Sequence, residues 1–247
     1  MTSALKPFPF YYKELPTFQR VVASLIERDS IDVKNYEDAW FTVCSENNIF
    51  QIWNKEYIEA LSKEILNLIG ENLILEVAAG DGMLSHWLRE HGVNIKATDN
   101  MSWHKSSESY NTVNRLSIPL QTYSEVEDLD AISAIRKYKP MMVIASWIPY
   151  GYELDCEILD EDPEYLVVIG EGDSGCTGSM KFWGDWTTVI ITEGGLTADS
   201  DTMPAYWKQK KYSELELEVD KWNICRTDYG HKWGRHHGST TLYTKGG

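Results

Sequence analysis

Leu73-Ile74-Leu75-Glu76-Val77-Ala78-Ala79-Gly80-Asp81-Gly82-Met83-Leu84-Ser85-His86-Trp87-Leu88 is the stretch whose reading decides the fold. A short apolar run ending in a carboxylate passes into a loop of small residues with glycines at alternate positions. Apolar residues then recur at helical spacing at Leu84, Trp87 and Leu88. The pattern predicts a strand, a glycine loop and a helix. Glycine supplies the backbone angles of a tight strand-to-helix turn, and without a Cβ it lets a ligand lie directly against the main chain.

The residues around and after the second glycine narrow the ligand. A dinucleotide loop, G-x-G-x-x-G, needs a third glycine for close helix packing and places a pyrophosphate on the helix N-terminus. Here Ser85 holds the third position and Asp81 sits inside the loop. A carboxylate aimed at a pyrophosphate is repulsive, so the loop suits a ligand that is uncharged or cationic at this end. A second strand is expected over Asn94-Ile95-Lys96-Ala97-Thr98-Asp99. Its terminal acid is placed to accept hydrogen bonds from both hydroxyls of a ribose.

Glu76-x-x-x-Gly80-x-Gly82, with Asp99 closing the next strand, resembles the cofactor signature of Rossmann-like S-adenosylmethionine-dependent methyltransferases. The resemblance implies an α/β fold with a mostly parallel sheet closed by a C-terminal antiparallel hairpin, and S-adenosylmethionine as cofactor. It implies that Ala78, Gly80 and Gly82 lie against the adenosine and methionine portions, that Glu76 is near the methionine ammonium, and that Asp99 holds the ribose. Asn100, leaving the same sheet edge, is expected to touch the cofactor as well. In the resembled family an acid-plus-small pair meets the adenine, and Asp130-Ala131 is the nearest match; Asp130 is equally explained as a helix cap. A nicotinamide-dependent oxidoreductase would want the glycine that Ser85 replaces, whereas a catalytically silent relative would keep the cofactor residues without turnover.

Lys139-Pro140-Met141-Met142-Val143-Ile144-Ala145-Ser146-Trp147-Ile148-Pro149-Tyr150-Gly151 reads as a buried parallel strand ending in a bulky loop on the same edge. That puts Ser146 and Trp147 beside the cofactor and Tyr150 on the acceptor side. Amino-group methyltransferases often carry Asn/Asp-Pro-Pro-Tyr here. Ser146-Trp147-Ile148-Pro149-Tyr150 departs from it by an extra residue, no amide or acid, and a single proline, so nitrogen specificity is not implied and an aromatic wall is. The strand Glu164 to Gly172 brings Glu171 to this edge as a candidate acceptor-side acid. The glycine-bearing loop after it contains Asp173 and Cys176.

The residues before Leu73 read as a helical extension over 1–70, preceding a cofactor-binding domain over 71–247. Phe18, Val21, Val22, Leu25 and Ile26 mark one amphipathic helix; Tyr36, Ala39, Trp40 and Val43 a second; Tyr57, Leu61, Ile65 and Leu68 a third, capped by Asn54 and stopped by Gly70. The extension serves as a lid or as scaffold. The aromatic segment Pro7 to Tyr12 is expected to dock as a pocket strap or as an arm over an apolar patch. A third strand is expected over Leu116 to Tyr123, a β-branched run from Thr188 to Glu193, a helix from Met203 to Tyr212, and a half-exposed strand from Leu215 to Trp222 pairing with Ser239 to Thr244.

Composition sets the class. The 247 residues, 43% hydrophobic and 25% charged, are those of a globular protein with a substantial core. A net charge of −15, with basic clusters only at Lys208 to Lys211 and Gly230 to His237, weighs against DNA or RNA. It favours a small-molecule substrate or else a protein. Cys44, Cys156, Cys176 and Cys225 lack disulfide or zinc spacing. His104 reads as a surface residue, and His231, His236 and His237 lack partner ligands for a metal. No secretory or membrane-spanning run is read, and cytoplasmic residence is expected.

Overall fold

The computed structural model describes residues 14–29, 44, 50–102, 125–171, 177–184, 188–192, 195–199, 204–225 and 238–246. Helix α1 spans Phe18–Asp29 and α2 Lys55–Ile69, followed by strand β1, Ile74–Val77, and α3, Met83–Glu90. Strands β2, Ile95–Asp99, and β3, Val126–Asp128, precede α4, Ala131–Tyr138, and β4, Met142–Ser146. Next come α5, Leu154–Asp160; β5, Tyr165–Glu171; and α6, Met180–Trp183. The remainder comprises β6, Thr188–Thr192; β7, Gly195–Asp199; α7, Tyr206–Gln209; β8, Tyr212–Glu216; a 3-10 turn at Asp220–Trp222; and β9, Gly238–Lys245.

Seven strands form one sheet in the order β3-β2-β1-β4-β5-β9-β8. The first five run parallel, while β9 is antiparallel to both β5 and β8. This is the Rossmann-like methyltransferase architecture expected from the sequence, including its closing antiparallel hairpin. The chain leaves β1 toward β2 and β3, then returns to the other side of β1 for β4 and β5. The strand order therefore reverses between β1 and β4, and in open α/β sheets a crevice opens outside the carboxyl ends at that point.

The two-residue period of the strands sorts the core into two layers. Ile74, Met142, Ile144, Val167 and Ile169 face one side, where Tyr57, Ile58, Leu61 and Ile65 of α2 and Leu84 and Leu88 of α3 cover them. Leu75, Val77, Val143, Ala145, Leu166 and Val168 face the other, against Ala134 and Ile135 of α4, Ile158 and Leu159 of α5, and Phe182. Glu76 shares a face with Ile74, so its carboxylate is directed toward α3.

Helix α2 begins and ends as expected. The Asn54 side chain accepts from Tyr57 N at 3.0 Å, and the N–H of Gly70 returns to the Leu66 carbonyl at 2.9 Å. Its apolar stripe packs on the sheet, and α1 is tied to its start by Phe18 N donating to Glu56 Oε2 at 2.7 Å.

Beside β2 the sheet has Val126–Asp128, too short to show a period; the strand expected over Leu116 to Tyr123 lies outside the described residues. Two expectations are corrected. The helix expected over Met203 to Tyr212 is confined to Tyr206–Gln209, because Tyr212 already pairs with Lys245 of β9. The strand expected over Leu215 to Trp222 lies earlier, at Tyr212–Glu216. Leu215 is exposed while Leu217 and Val219 are buried. The ladder stops where Asp220 Oδ2 takes the Thr240 N–H at 2.9 Å, which leaves the chain to turn. The β-branched run forms β6, paired only with β7 in a separate two-stranded sheet. The expected helix at Tyr36 to Val43 and the aromatic segment Pro7 to Tyr12 fall outside the described residues, as do His104, Asp173, Cys176, His231, His236 and His237. Among the described residues no helix is long and apolar enough to cross a membrane.

Candidate functional site

The turn after β1 is built on alternate residues in left-handed backbone: Ala78, Gly80 and Gly82 have φ of 50°, 56° and 73°. That conformation costs an L-residue about 1–2 kcal/mol, which is why glycines sit at two of the three positions. A Cβ placed on Gly80 would meet no atom within 4 Å, so the backbone there borders open space. Two bonds fix the loop from the next strand. Gly80 N donates to Asp99 Oδ2 at 2.9 Å, and Ala79 N donates to the Thr98 carbonyl at 3.0 Å. Asp99 Oδ1 accepts from Met101 N at 2.7 Å, so one buried carboxylate joins the loops after β1 and β2. An ionised carboxylate can accept about four hydrogen bonds, which makes this tie compatible with a ribose-holding role.

The N-terminus of α3 is occupied by the protein's own acids. Asp81 Oδ1 accepts from Met83 N at 3.0 Å, and Glu76 Oε2 accepts from Ser85 N at 3.0 Å. The Ser85 hydroxyl also donates to Glu76 Oε2. In a dinucleotide fold these N–H groups and the positive helix end receive a pyrophosphate; here two carboxylates fill that place. The sequence pattern presents Ser85 only as a missing glycine. Its buried hydroxyl, aimed at Glu76, is a feature that no spacing rule announces.

Burial pushes the Glu76 carboxyl up to about 8; its two bonds from Ser85 oppose this, and the charges of Asp81 and Asp99 add to it. Burial likewise raises Asp81, against the pull of the Met83 N–H. Carboxylates this close favour a cation in the space they border.

Across the strand-order reversal, Val77 pairs with Ala145, so Ala78 and Ser146 leave the sheet side by side. Ser146 is half-buried. Trp147 comes next with φ of 54°, its N–H donating to the Ile169 carbonyl at 2.7 Å. The indole Nε1 donates to Gln51 Oε1 at 2.9 Å, and the ring stacks on Phe50 with centroids 5.4 Å apart and planes inclined by 25°. Sequence reasoning misses Phe50 and Gln51. The signal available is the run Phe50-Gln51-Ile52-Trp53 just before the Asn54 cap. Gln51 is itself held by a bridge to Cys225, and Ile52 N donates to the Ile224 carbonyl at 2.8 Å.

The remaining expected residues sit at or after the carboxyl ends of β2, β3, β4 and β5. Pro149-Tyr150-Gly151 forms a turn pinned by Gly151 N donating to the Gly178 carbonyl at 3.0 Å, with Tyr150 exposed. Glu171 ends β5 and is buried, its N–H donating to Thr177 Oγ1 at 3.0 Å. Asn100 is exposed and its Oδ1 accepts from Ser102 N at 2.9 Å. Asp130 caps α4 by accepting from Ser133 N at 2.9 Å, which holds its carboxyl below the usual carboxylate range. Leu129 N donates to the Asp99 carbonyl at 3.0 Å, bringing the Asp130-Ala131 loop beside Asp99. Among the described residues no group of three His, Cys, Asp or Glu is placed to hold a metal ion.

No protein-family model matches the chain, and no curated protein matches it. Solved structures do. The methyltransferase domain of bacterial CtHen1 is 8% identical, with 76% of this chain and 98% of that one covered and a TM-score of 0.39. Human N-acetylserotonin methyltransferase in complex with SAM is 9% identical, with coverages of 93% and 67% and a TM-score of 0.41. The 1,6-didemethyltoxoflavin-N1-methyltransferase of Burkholderia thailandensis, with 1,6-didemethyltoxoflavin and S-adenosylhomocysteine bound, is 10% identical, with coverages of 95% and 93% and a TM-score of 0.37.

Proposed function

We propose that the protein binds S-adenosylmethionine and transfers its methyl group to a small or medium-sized acceptor that is not a nucleic acid. The observation that carries this reading is the occupation of the α3 N-terminus by Asp81 and Glu76. A phosphate-bearing dinucleotide is repelled there, whereas a nucleoside carrying sulfonium and ammonium charges is attracted. That weighs against a nicotinamide-dependent oxidoreductase.

The cofactor supplies an already activated methyl group, so the protein's task is to hold donor and acceptor in line. In this reading Ala78, Gly80 and Gly82 offer backbone to the methionine and adenosine portions, with Asp81, and Glu76 once binding has displaced its proton, providing negative charge for the ammonium. Asp99 accepts from the ribose hydroxyls, Asn100 and the Asp130-Ala131 loop flank the base, and Ser146 and Trp147 close the crevice from β4. Tyr150 walls the acceptor side, and Glu171 is the nearby acid for binding a cationic acceptor or taking its proton. The extension over residues 1–70 contributes Phe50 and Gln51 to this wall. The setting proposed for this work is a reducing cytoplasm, where the buried Cys44, Cys156 and Cys225 would stay thiols.

A second reading, a silent binder of the same cofactor, is favoured by the missing amide or acid in Ser146-Trp147-Ile148-Pro149-Tyr150. Calorimetric titration with S-adenosylmethionine and with NAD tests the cofactor, and binding of NAD alone would overturn the proposal. Transfer of a labelled methyl group to any member of a metabolite panel separates enzyme from silent binder. Tyr150→Ala is expected to reduce turnover while sparing cofactor affinity; equal loss of both would remove Tyr150 from the acceptor side.

A further inference from the structure

We propose that Phe50 and Trp147 form a stacking shelf selecting a flat aromatic acceptor, neutral or cationic, an inference that rests on the methyl-transfer reading above. Trp147 is the observation that starts it. A bulky residue in left-handed backbone is uncommon, and such outliers persist only where their surroundings over-determine them, most often at ligand sites. Here three contacts do so. Its N–H is held by the Ile169 carbonyl, its indole N–H by Gln51, and its ring by the Phe50 ring.

The result is an indole fixed in both position and tilt at the end of β4, one residue beyond the point where β1 and β4 part. Gln51 is in turn anchored by its bridge to Cys225 and by the neighbouring Ile52 bond to Ile224. A ring needed only to fill the core would be buried. Trp147 is half-buried instead, Phe50 is 39% exposed, and Tyr150, three residues on, is 55% exposed. Aromatic rings presented in this way gain by taking another flat ring at stacking distance, and gain further if that ring is cationic.

Charge decides between classes of flat ligand. Asp81 and Asp99 at the turn after β1, and the net charge of −15, oppose an anionic ring. A saturated amine satisfies the charge but not the stacking surface. The acceptor class is therefore a planar heteroaromatic or aromatic amine without acidic groups.

The test uses the full-length protein saturated with S-adenosylhomocysteine and four probes, with binding measured by calorimetry or ligand-observed NMR. These are quinoline, N-methylquinolinium, quinoline-2-carboxylate and cyclohexylamine. Quinoline and N-methylquinolinium are expected to bind about tenfold more tightly than the other two. Phe50→Ala is expected to lower their affinity by about tenfold, with a much smaller effect on S-adenosylhomocysteine binding, whereas Phe50→Trp retains probe binding. Equal binding of all four probes overturns the proposal, as does quinoline affinity indifferent to Phe50→Ala. Failure of S-adenosylhomocysteine itself to bind the wild-type protein is a different result, because it removes the methyl-transfer reading and this one with it.

Discussion

Replacing Glu76 with glutamine should make the protein more stable at neutral pH, and by an amount that depends on pH in a definite direction. Glu76 is 2% exposed and lies against α3, and burial raises its carboxyl from 4.5 to about 8. A group whose folded pKa lies above its unfolded value favours folding fully below the unfolded pKa, and that contribution is lost as pH rises through the folded one. The window is therefore about pH 4.5 to 8. Each unit within it costs about 1.36 kcal/mol, so by pH 7 the wild type has lost roughly 3 kcal/mol that a neutral amide does not lose. The amide of the Glu76→Gln variant keeps an acceptor for the Ser85 N–H and hydroxyl but never ionises.

Urea unfolding of both proteins across about pH 5 to pH 8 isolates the effect, since every other titrating group is common to the pair. The stability difference, variant minus wild type, should grow from about 1 kcal/mol or less near pH 5 to roughly 3 kcal/mol near pH 7. Any fixed cost of the amide shifts the whole curve and leaves its slope intact. A difference flat across the range would refute the reasoning, because Glu76 would then be ionised throughout and its burial fully compensated. The same substitution should weaken S-adenosylmethionine binding, because the cation loses a carboxylate. Binding to the wild type near pH 7 should release a proton, seen as a buffer-dependent enthalpy, that the variant does not release.

Asp99→Ala should reduce S-adenosylmethionine affinity by about tenfold or more, and should also lower the melting temperature, because the carboxylate holds Gly80 N and Met101 N; unchanged affinity by calorimetry would contradict the ribose role. Gly80→Ala should cost about 1–2 kcal/mol of stability from its φ of 56°, and it should impair cofactor binding further because the added methyl points into the space the adenosyl group is proposed to use. Denaturant titration and calorimetry separate the two effects. Asp155→Ala should destabilise by about 1–3 kcal/mol, the cost of leaving its buried donors unsatisfied, while leaving cofactor affinity unchanged. Its buried carboxylate accepts from Ser179 N at 2.7 Å, from the Ser179 hydroxyl at 2.7 Å and from Cys156 N at 2.8 Å, none of them a residue of the β1 loop. Chemical unfolding and calorimetric titration check both halves.

The legible parts of the fold are those with strong local patterns. The stripe of α2 with Asn54 at one end and Gly70 at the other, the apolar runs of β1, β4 and β5, and the alternate glycines after β1 each state their own geometry. Strand β3 escapes sequence reasoning because three residues show no period. The limits of β8 escape it because an edge strand ends where a tertiary bond, Asp220 to Thr240, outbids the ladder. Alternation alone predicts Leu215, Leu217 and Val219 all inward; Leu217 and Val219 are buried, but Leu215 is 58% exposed.

The candidate site divides along the same line, and the division has a consequence for how its two functions can change. Its cofactor side is assembled from neighbours in sequence: Glu76 meets Ser85 across 9 residues and Gly80 meets Asp99 across 19. The proposed acceptor side is assembled from distant ones, with Trp147 meeting Gln51 across 96 residues. A local pattern must satisfy strand, turn and helix at once, so most substitutions within it disturb folding and cofactor together. Phe50 is under no such joint constraint, being exposed and outside both helix and sheet. On the proposed assignment, substitutions there alter which acceptor is taken more than they alter the grip on the cofactor, because the acceptor preference is carried by contacts that no local pattern encodes.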